Sequence, residues 1–339
     1  MIPKVLIIGP NFYNFCEAVA RAFAFHGWLV AVEKYDNPIH PYTLSMKCRY
    51  KFTYNKPAMR NKSLVTYQSH IIKRFNEFNP DLVFLLNGDW LTTQTIDYFN
   101  ESAKVACWLF DRLYNLPNSV DHVNHVSHLF CYDQEDATLL AQTHKNISFL
   151  PQACDTFIYK PQHRIKDIDI LFVGNLYNSR RRRAYVKVVV KAFPNKIIRV
   201  IGEYKPWYKN PLKCLFRESR SIYLNKNVPE ILVNDYYNRA KVVLNIHNEQ
   251  QQNGANPKVF EISGSGAYQI CDSNPYIKSL YPNGEIGLYN NEQELIDLIE
   301  DGLTTDKTNQ TEKAYQFIVS NHTFEKRVEQ MLDILYNHA

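Results

Sequence analysis

The sequence predicts an α/β protein made of two Rossmann-like, doubly wound domains facing each other across a cleft. Three observations lead there. Short β-rich runs recur along the whole 339-residue chain, they are continuously apolar, and longer helix-compatible stretches separate them. Continuous apolar runs mark parallel strands buried on both faces, and strand–helix alternation builds βαβ units. A proline-containing break near the middle, after which the alternation restarts, divides the whole into two.

In chain order, the first half offers strands over Lys4–Ile8, Trp28–Val32, Asp81–Leu86, Val105–Phe110, His128–Tyr132 and Ile147–Leu150. Helices fit Cys16–Phe25 and Ser69–Phe78, from their length and spacing of apolar residues. The segment Pro151–Lys166 carries two prolines and many polar residues, which is the signature of a linker. Strands resume at Ile168–Val173, Ile197–Ile201, Val242–Ile246, Tyr268–Cys271 and Ile286–Leu288, with a helix over Glu292–Leu303. The amphipathic stretch Phe324–Tyr336 reads as a final helix packing across the domain junction. The expected division is 1–155, 166–320 and a crossover helix within 321–339.

Composition narrows the function. Hydrophobic residues make up 45% of the chain and aromatics 14%, enough for sizeable cores, which excludes a disordered, collagen-like or acidic-tail protein. A net charge of +5 is too mild to announce a nucleic-acid partner, and none is expected. Seven cysteines (Cys16, Cys48, Cys107, Cys131, Cys154, Cys214, Cys271) form no CxxC pair, which argues against a disulfide framework or a zinc site and for buried thiols in a reducing compartment. The opening run MIPKVLIIGP is too short for a signal-peptide core, and no stretch approaches the ~20 apolar residues of a membrane span. A cytoplasmic protein is expected, or one attached only at its surface to the inner face of the cell membrane.

Ligands of open α/β sheets bind beyond the C-terminal ends of strands, where turn amides and helix N-termini meet anions. Three such ends stand out. Gly9 follows the first strand in IIGPNFYNF; it either makes a tight turn or, with Asn11 and Phe12, forms one wall of the cleft. The dinucleotide fingerprint GxGxxG is not met. Gly174 ends the strand before NLYNSRRRR, whose arginines Arg180–Arg183 cannot share one helical face. Arg180, nearest the loop, is the candidate for a diphosphate, and a solvated basic run is the alternative.

The third end is the most informative. Val242–Ile246 runs into His247, a polar loop follows, and Asn256 with Pro257 spells the cap and first residue of a helix. Such a helix start is an anion site. Lys258 and Glu261 are three apart, hence on one face: a lysine for phosphate and a carboxylate for the two hydroxyls of a ribose, or simply a surface ion pair.

Other features carry less. Asp167-Ile168-Asp169 precedes its strand instead of following it, and His122, His125 and His128 beside Asp121 would fan too widely on a helix for one metal, so no metal site is expected. Ser263-Gly264-Ser265-Gly266 has no Walker lysine and reads as a helix end. The stretch 204–226 interleaves Lys205, Lys209, Lys213, Arg217, Arg220 and Lys226 with Trp207, Tyr208, Leu212 and Phe216. That mixture suits an anionic membrane surface, with a packed, solvated insertion as the alternative.

Taken in order, VACWLFDR, FLPQACDTFIYKP, DILFVGNLYNSRRRR, RVIGEYK, YYNRAKVVLNIHNE, NPKVFEISGSGAYQICDS and TFEKRVEQML resemble the GT-B glycosyltransferases of the "glycosyl transferases group 1" type, and particularly the CgeB-like branch named for a spore-maturation protein. The resemblance spans about Val105 to Leu332; the first hundred residues share only the general Rossmann character. It implies a hexosyltransferase that takes a nucleotide-sugar donor, UDP-linked by preference, in its C-terminal domain. The acceptor, a glycan or lipid-linked glycan, would sit on the N-terminal domain. The donor residues it implies are Glu261 for the ribose and Lys258 and Arg180 for the diphosphate, with Lys205 in the loop after Ile201 near the nucleotide. Many retaining relatives carry a glutamate where this chain has Asn253, which leaves the stereochemistry open. Asp111 in WLFDR is the candidate general base, or else a helix cap; His247 would stabilise the leaving phosphate, or only order its loop. No metal or other cofactor is expected. The corresponding role is the building of a bacterial capsule, lipopolysaccharide or teichoic acid. A GT-B nucleotide-sugar epimerase and a non-catalytic nucleotide- or glycan-binding envelope or spore protein are the alternatives.

Overall fold

The computed structural model describes residues 2–11, 13–35, 56–116, 119, 121–177, 179–203, 222–224, 226–249 and 253–336, with main chain alone over 56–63 and at 114. The chain forms two compact units, one of Met1–Pro151 with Phe324–Ala339 and one of Gln152–Thr323. Each is a six-stranded, all-parallel sheet flanked by helices.

The first unit runs β1 (Lys4–Gly9), α1 (Phe15–Phe25), β2 (Leu29–Lys34), α2 (Lys56–Phe78), β3 (Leu82–Leu86), α3 (Thr93–Asn100), β4 (Lys104–Leu109), β5 (His128–Cys131), α4 (Gln134–Ala141) and β6 (Ile147–Phe149). Its sheet order is β2-β1-β3-β4-β5-β6, so the winding reverses between β1 and β3. Every residue of β3 is buried, as a strand covered on both faces requires. α2 begins well before the expected Ser69: Pro57 lies in its first turn, where proline is tolerated, and Tyr67, Ile71 and Phe75 supply its buried stripe. The last helix of the chain, α11 (Phe324–Tyr336), also belongs to this unit. It buries Phe324, Arg327, Val328, Met331 and Leu335. Phe324 meets Phe15 of α1 at a ring separation of 6.4 Å, and the Glu325 carbonyl accepts from His26 Nε2 at 2.9 Å.

The second unit contains β7 (Ile168–Val173), α5 (Arg180–Ala192), β8 (Ile198–Ile201), β9 (Tyr223–Leu224), α6 (Glu230–Arg239), β10 (Ala240–Asn245), α7 (Pro257–Gly264), β11 (Gln269–Asp272), α8 (Pro275–Leu280), β12 (Gly287–Tyr289), α9 (Glu292–Thr304) and α10 (Thr308–Asn321). Its order, β12-β11-β10-β7-β8-β9, places the reversal between β7 and β10. The Asp167–Asp169 pair sits at the opposite, N-terminal end of β7: Asp167 forks with Arg239 at 2.9 and 2.7 Å, and Asp169 holds Lys241 at 2.7 Å. The three spaced histidines go separate ways, His122 to the Leu91 carbonyl, His125 to Asp97 and His128 to Ser148. Cys16, Cys107, Cys131, Cys154 and Cys271 are buried. No helix among the described residues is long and apolar enough to cross a membrane.

A candidate nucleotide-sugar site

The reversal between β7 and β10 brings four loop ends together in the second unit. Gly174 leaves β7, and its N–H donates to the Ile201 carbonyl at 2.8 Å. Gly202 follows β8 with φ of +134°, and a Cβ there would lie 2.2 Å from the Gly174 carbonyl oxygen, so both the backbone angle and the space demand glycine. At Gly174 itself a Cβ would stand 3.0 Å from the Phe172 ring.

α5 starts with its N-terminus already occupied. The Ser179 hydroxyl accepts from the Arg182 N–H at 3.1 Å. The Glu249 carboxylate, arriving from the loop after β10, accepts from the Arg181 N–H and the Ser179 hydroxyl, each at 2.8 Å. What burial Glu249 has works against its charge, yet those bonds and the Arg180 N–H hold its pKa down at about 2. The arginines divide as their helical spacing requires. Arg180 is exposed, Arg181 pairs with Asp272 at 2.9 Å, and buried Arg182 donates to the Ile246 carbonyl at 2.7 Å. Arg183 donates to the Leu176 and Tyr177 carbonyls at 2.6 Å. Arg180 is thus left exposed beside a helix end that the Glu249 carboxylate occupies, while its neighbours are struts instead of a solvated run.

His247 is fully buried. Its Nδ1–H donates to Asp272 Oδ1 at 2.7 Å, and its Nε2 accepts from the Asn256 N–H at 3.2 Å. With Nε2 an acceptor, the ring has no proton to offer a leaving phosphate, so the expected catalytic role gives way to an ordering one. Burial pushes the Asp272 carboxyl up, but His247 and Arg181 beside it outweigh that and leave it below the usual carboxylate range. Asn256 caps α7 through Oδ1 to the Val259 N–H at 3.3 Å, with Pro257 as the first helical residue. It also exchanges two hydrogen bonds with Asn245, at 3.1 and 2.9 Å. Asn256 therefore shapes the helix start while its side chain is held by protein.

Lys258 and Glu261 share a face of α7, their charged atoms 3.7 Å apart and beyond hydrogen-bond distance. The pair is largely buried, with side chains 20% and 13% exposed, so it is no surface ion pair. Glu261 Oε2 is buried and has no hydrogen-bond partner. Burial pushes this carboxyl above its ordinary range, with Lys258 pulling back only in part.

The other expected residues are Lys205, Gly9, Asn11 and Asp111. Lys205 and nearly all of 204–226 fall outside the described residues. Gly9 ends β1 in the first unit, where a Cβ would meet Cys16 Sγ at 2.8 Å and Leu86 Cβ at 2.9 Å, a packing reason for glycine. Asn11 is exposed and accepts from Lys34 at 3.3 Å. Asp111 is exposed, and its Oδ1 accepts from the Arg112 N–H at 2.8 Å and Asn115 Nδ2 at 2.9 Å, the behaviour of a turn cap. Sequence reasoning passed over Glu249, Asp272 and the loop after β3, where Asn87 (φ 62°) and Gly88 (φ 74°) are both left-handed. An Asn-Gly pair directly after a strand was the available signal for that loop.

Known proteins resemble this architecture. Residues 180–333 match the family model described as glycosyl transferase-like. No curated protein matches the chain. Among solved structures, a sucrose-phosphate synthase from Thermosynechococcus elongatus superposes with a TM-score of 0.68 at 10% identity, covering 99% of this chain and 100% of that one. A glycosyltransferase from Rickettsia africae gives 0.67 at 13% identity, covering 99% and 98%. Anabaena HepE in complex with UDP and glucose gives 0.65 at 13% identity, covering 98% and 99%. These likenesses define the fold as GT-B.

Proposed function

We propose that the protein is a glycosyltransferase that takes a nucleotide-activated sugar, UDP-linked by preference, at the C-terminal strand ends of its second unit. The observation that carries this is Glu261: a buried carboxylate oxygen with no hydrogen-bond partner, one helical turn from the N-terminus of α7 and beside Lys258. Buried acceptors are almost always satisfied, and a ribose hydroxyl is a donor of the right kind. The fold likeness to HepE, which binds UDP and glucose, supports the choice of nucleotide.

In this reading the α7 N-terminus and the Lys258 ammonium neutralise charge on the departing diphosphate. Neither contribution calls for a metal ion. His247 acts as a positioning residue: through the Asn256 N–H it sets the helix start that meets the phosphate. The sugar passes to an acceptor hydroxyl, and the glycan class that fits the sequence resemblance is a bacterial surface polysaccharide.

The test is a thermal-shift screen of UDP, GDP, CMP and dTDP against the full chain. Stabilisation grows with ligand over Kd, so at a hundredfold excess over Kd a binder adds about 2.7 kcal/mol. A rise in melting point with UDP is expected, and no rise with any of the four at millimolar concentration refutes the donor site.

A further inference from the structure

From residue 170 to residue 202 the chain carries eight basic side chains and no acid, and α5 lies in the middle of that stretch. Three of its four arginines are taken up by the fold, Arg181 by Asp272 and Arg182 and Arg183 by backbone carbonyls. What remains is a row. Arg180, Lys187 and Lys191 fall within about 40° of one another around a 3.6-residue helix and span ~16 Å along it. All three are exposed, and exposed Ala184 lies between the first two. The opposite face buries Arg182, Val186 and Val189.

Helix stability gives no reason for this row and argues against it. Arg183 with Lys187, and Lys187 with Lys191, are like charges four residues apart, a spacing that destabilises a helix. Arg180 is a cation at the positive end of the helix dipole. Among the described residues, Arg180, Lys187 and Lys191 have no ion-pair partner. The neighbouring helix α9 carries Asp297, Glu300 and Asp301, yet Asp301 pairs with Lys307 and none of the three pairs with the row.

A row of exposed, unneutralised cations attracts a polyanion. A helix that lies on a bilayer turns its apolar face to the lipid, whereas Val186 and Val189 of α5 are buried within the unit, so a membrane fits poorly. RNA fits poorly too, because the row interleaves no aromatic ring on which bases would stack. A flexible chain with regularly repeated negative charges matches a straight line of cations. The line starts beside the helix end that Glu249 occupies, at the strand ends that carry the donor site, and leads away from it. We propose that the outer face of α5 holds an acidic glycan, a polymer whose repeats bear phosphodiester or carboxylate groups, and that this polymer is the acceptor. Its acidity follows from the row alone; its assignment as acceptor rests on the glycosyltransferase reading.

Fluorescence anisotropy with the full chain tests it, using end-labelled polyribitol phosphate, polygalacturonate, neutral dextran and a single-stranded RNA, together with sedimentation on phosphatidylglycerol vesicles. At least one acidic glycan should bind in 50 mM salt and dextran should not. Three contacts at ~0.7 each on a flexible strand predict a loss of about a hundredfold for each tenfold rise in salt. The triple variant Arg180→Gln/Lys187→Gln/Lys191→Gln should bind the same glycan at least tenfold more weakly with a flatter salt dependence. Its three sites are exposed, so its melting temperature should stay that of the wild type. The UDP-induced thermal shift should be unchanged in Lys187→Gln/Lys191→Gln. Silence from both acidic glycans, full binding in the folded triple variant, or tighter binding of RNA or vesicles than of either glycan overturns the proposal. A UDP shift without glycan binding sinks this proposal alone, whereas glycan binding without any nucleotide shift sinks the donor reading and leaves the polyanion face standing.

Discussion

Replacing Glu261 with glutamine should move stability and ligand affinity in opposite directions. Glu261 keeps a buried carboxylate oxygen without a partner, and burial raises its pKa above the ordinary 4.5 despite Lys258. A raised pKa means the folded state prefers the neutral form. The stability tied to that form is complete below pH 4.5 and is lost as pH rises through the folded value. Above its folded pKa the free wild-type protein buries a carboxylate charge that Lys258 and Tyr159 offset only in part, a cost that glutamine avoids. Glu261→Gln should melt at or above the wild-type temperature at pH 7.5, and its advantage should disappear by pH 4.5. With nucleotide bound, the charge is what the ribose hydroxyls meet. A hydrogen bond to a charged group contributes about 1.5–3 kcal/mol, so the variant should bind roughly 10- to 150-fold more weakly. Calorimetric titration with UDP, alongside melting curves at the two pH values, reads both effects. Wild-type affinity in the variant, or a clear loss of stability at pH 7.5, refutes the reasoning.

Two further outcomes follow from the same unit. Asp272→Ala leaves His247 Nδ1 and Arg181 without their shared buried partner and should cost about 3–5 kcal/mol in urea unfolding; a loss under 1 kcal/mol would show that the network is slack. Glu249 has a folded pKa near 2, below its ordinary 4.5, so the stability it adds is present above pH 4.5 and fades as pH falls toward 2. Urea midpoints of wild type and Glu249→Gln should differ slightly at pH 7 and converge in acid, a small effect because Glu249 is exposed.

Elements whose cause is local were readable in the sequence. Val83, Phe84 and Leu85 announce a doubly covered strand by being continuously apolar, and all are buried. Asn256 and Pro257 announce a helix start because capping chemistry spans only a few residues. Roles set by distant partners were not readable. Nothing around His247 indicates that Asp272, 25 positions later, consumes its Nδ1 proton. Nor does the arginine run reveal that Glu249, 68 positions beyond Arg181, seats itself on the helix end where a diphosphate was expected. The short strand β9 and the helix α10 escaped because the first is two residues long and the second buries only Ala314 and Ile318, too sparse a stripe to stand out.

Because α11 follows the entire second unit yet packs on α1, order of synthesis and order of completion differ. The nascent chain emerges from the ribosome with β1 to β6 first, but the face of α1 that Phe324 and Glu325 contact stays bare until the final helix appears. The second unit, Gln152–Thr323, has all of its elements in one continuous stretch and can close earlier. The half that is made first is finished last, and a stop codon placed just after Thr323 would harm the amino-terminal half more than the one it directly follows.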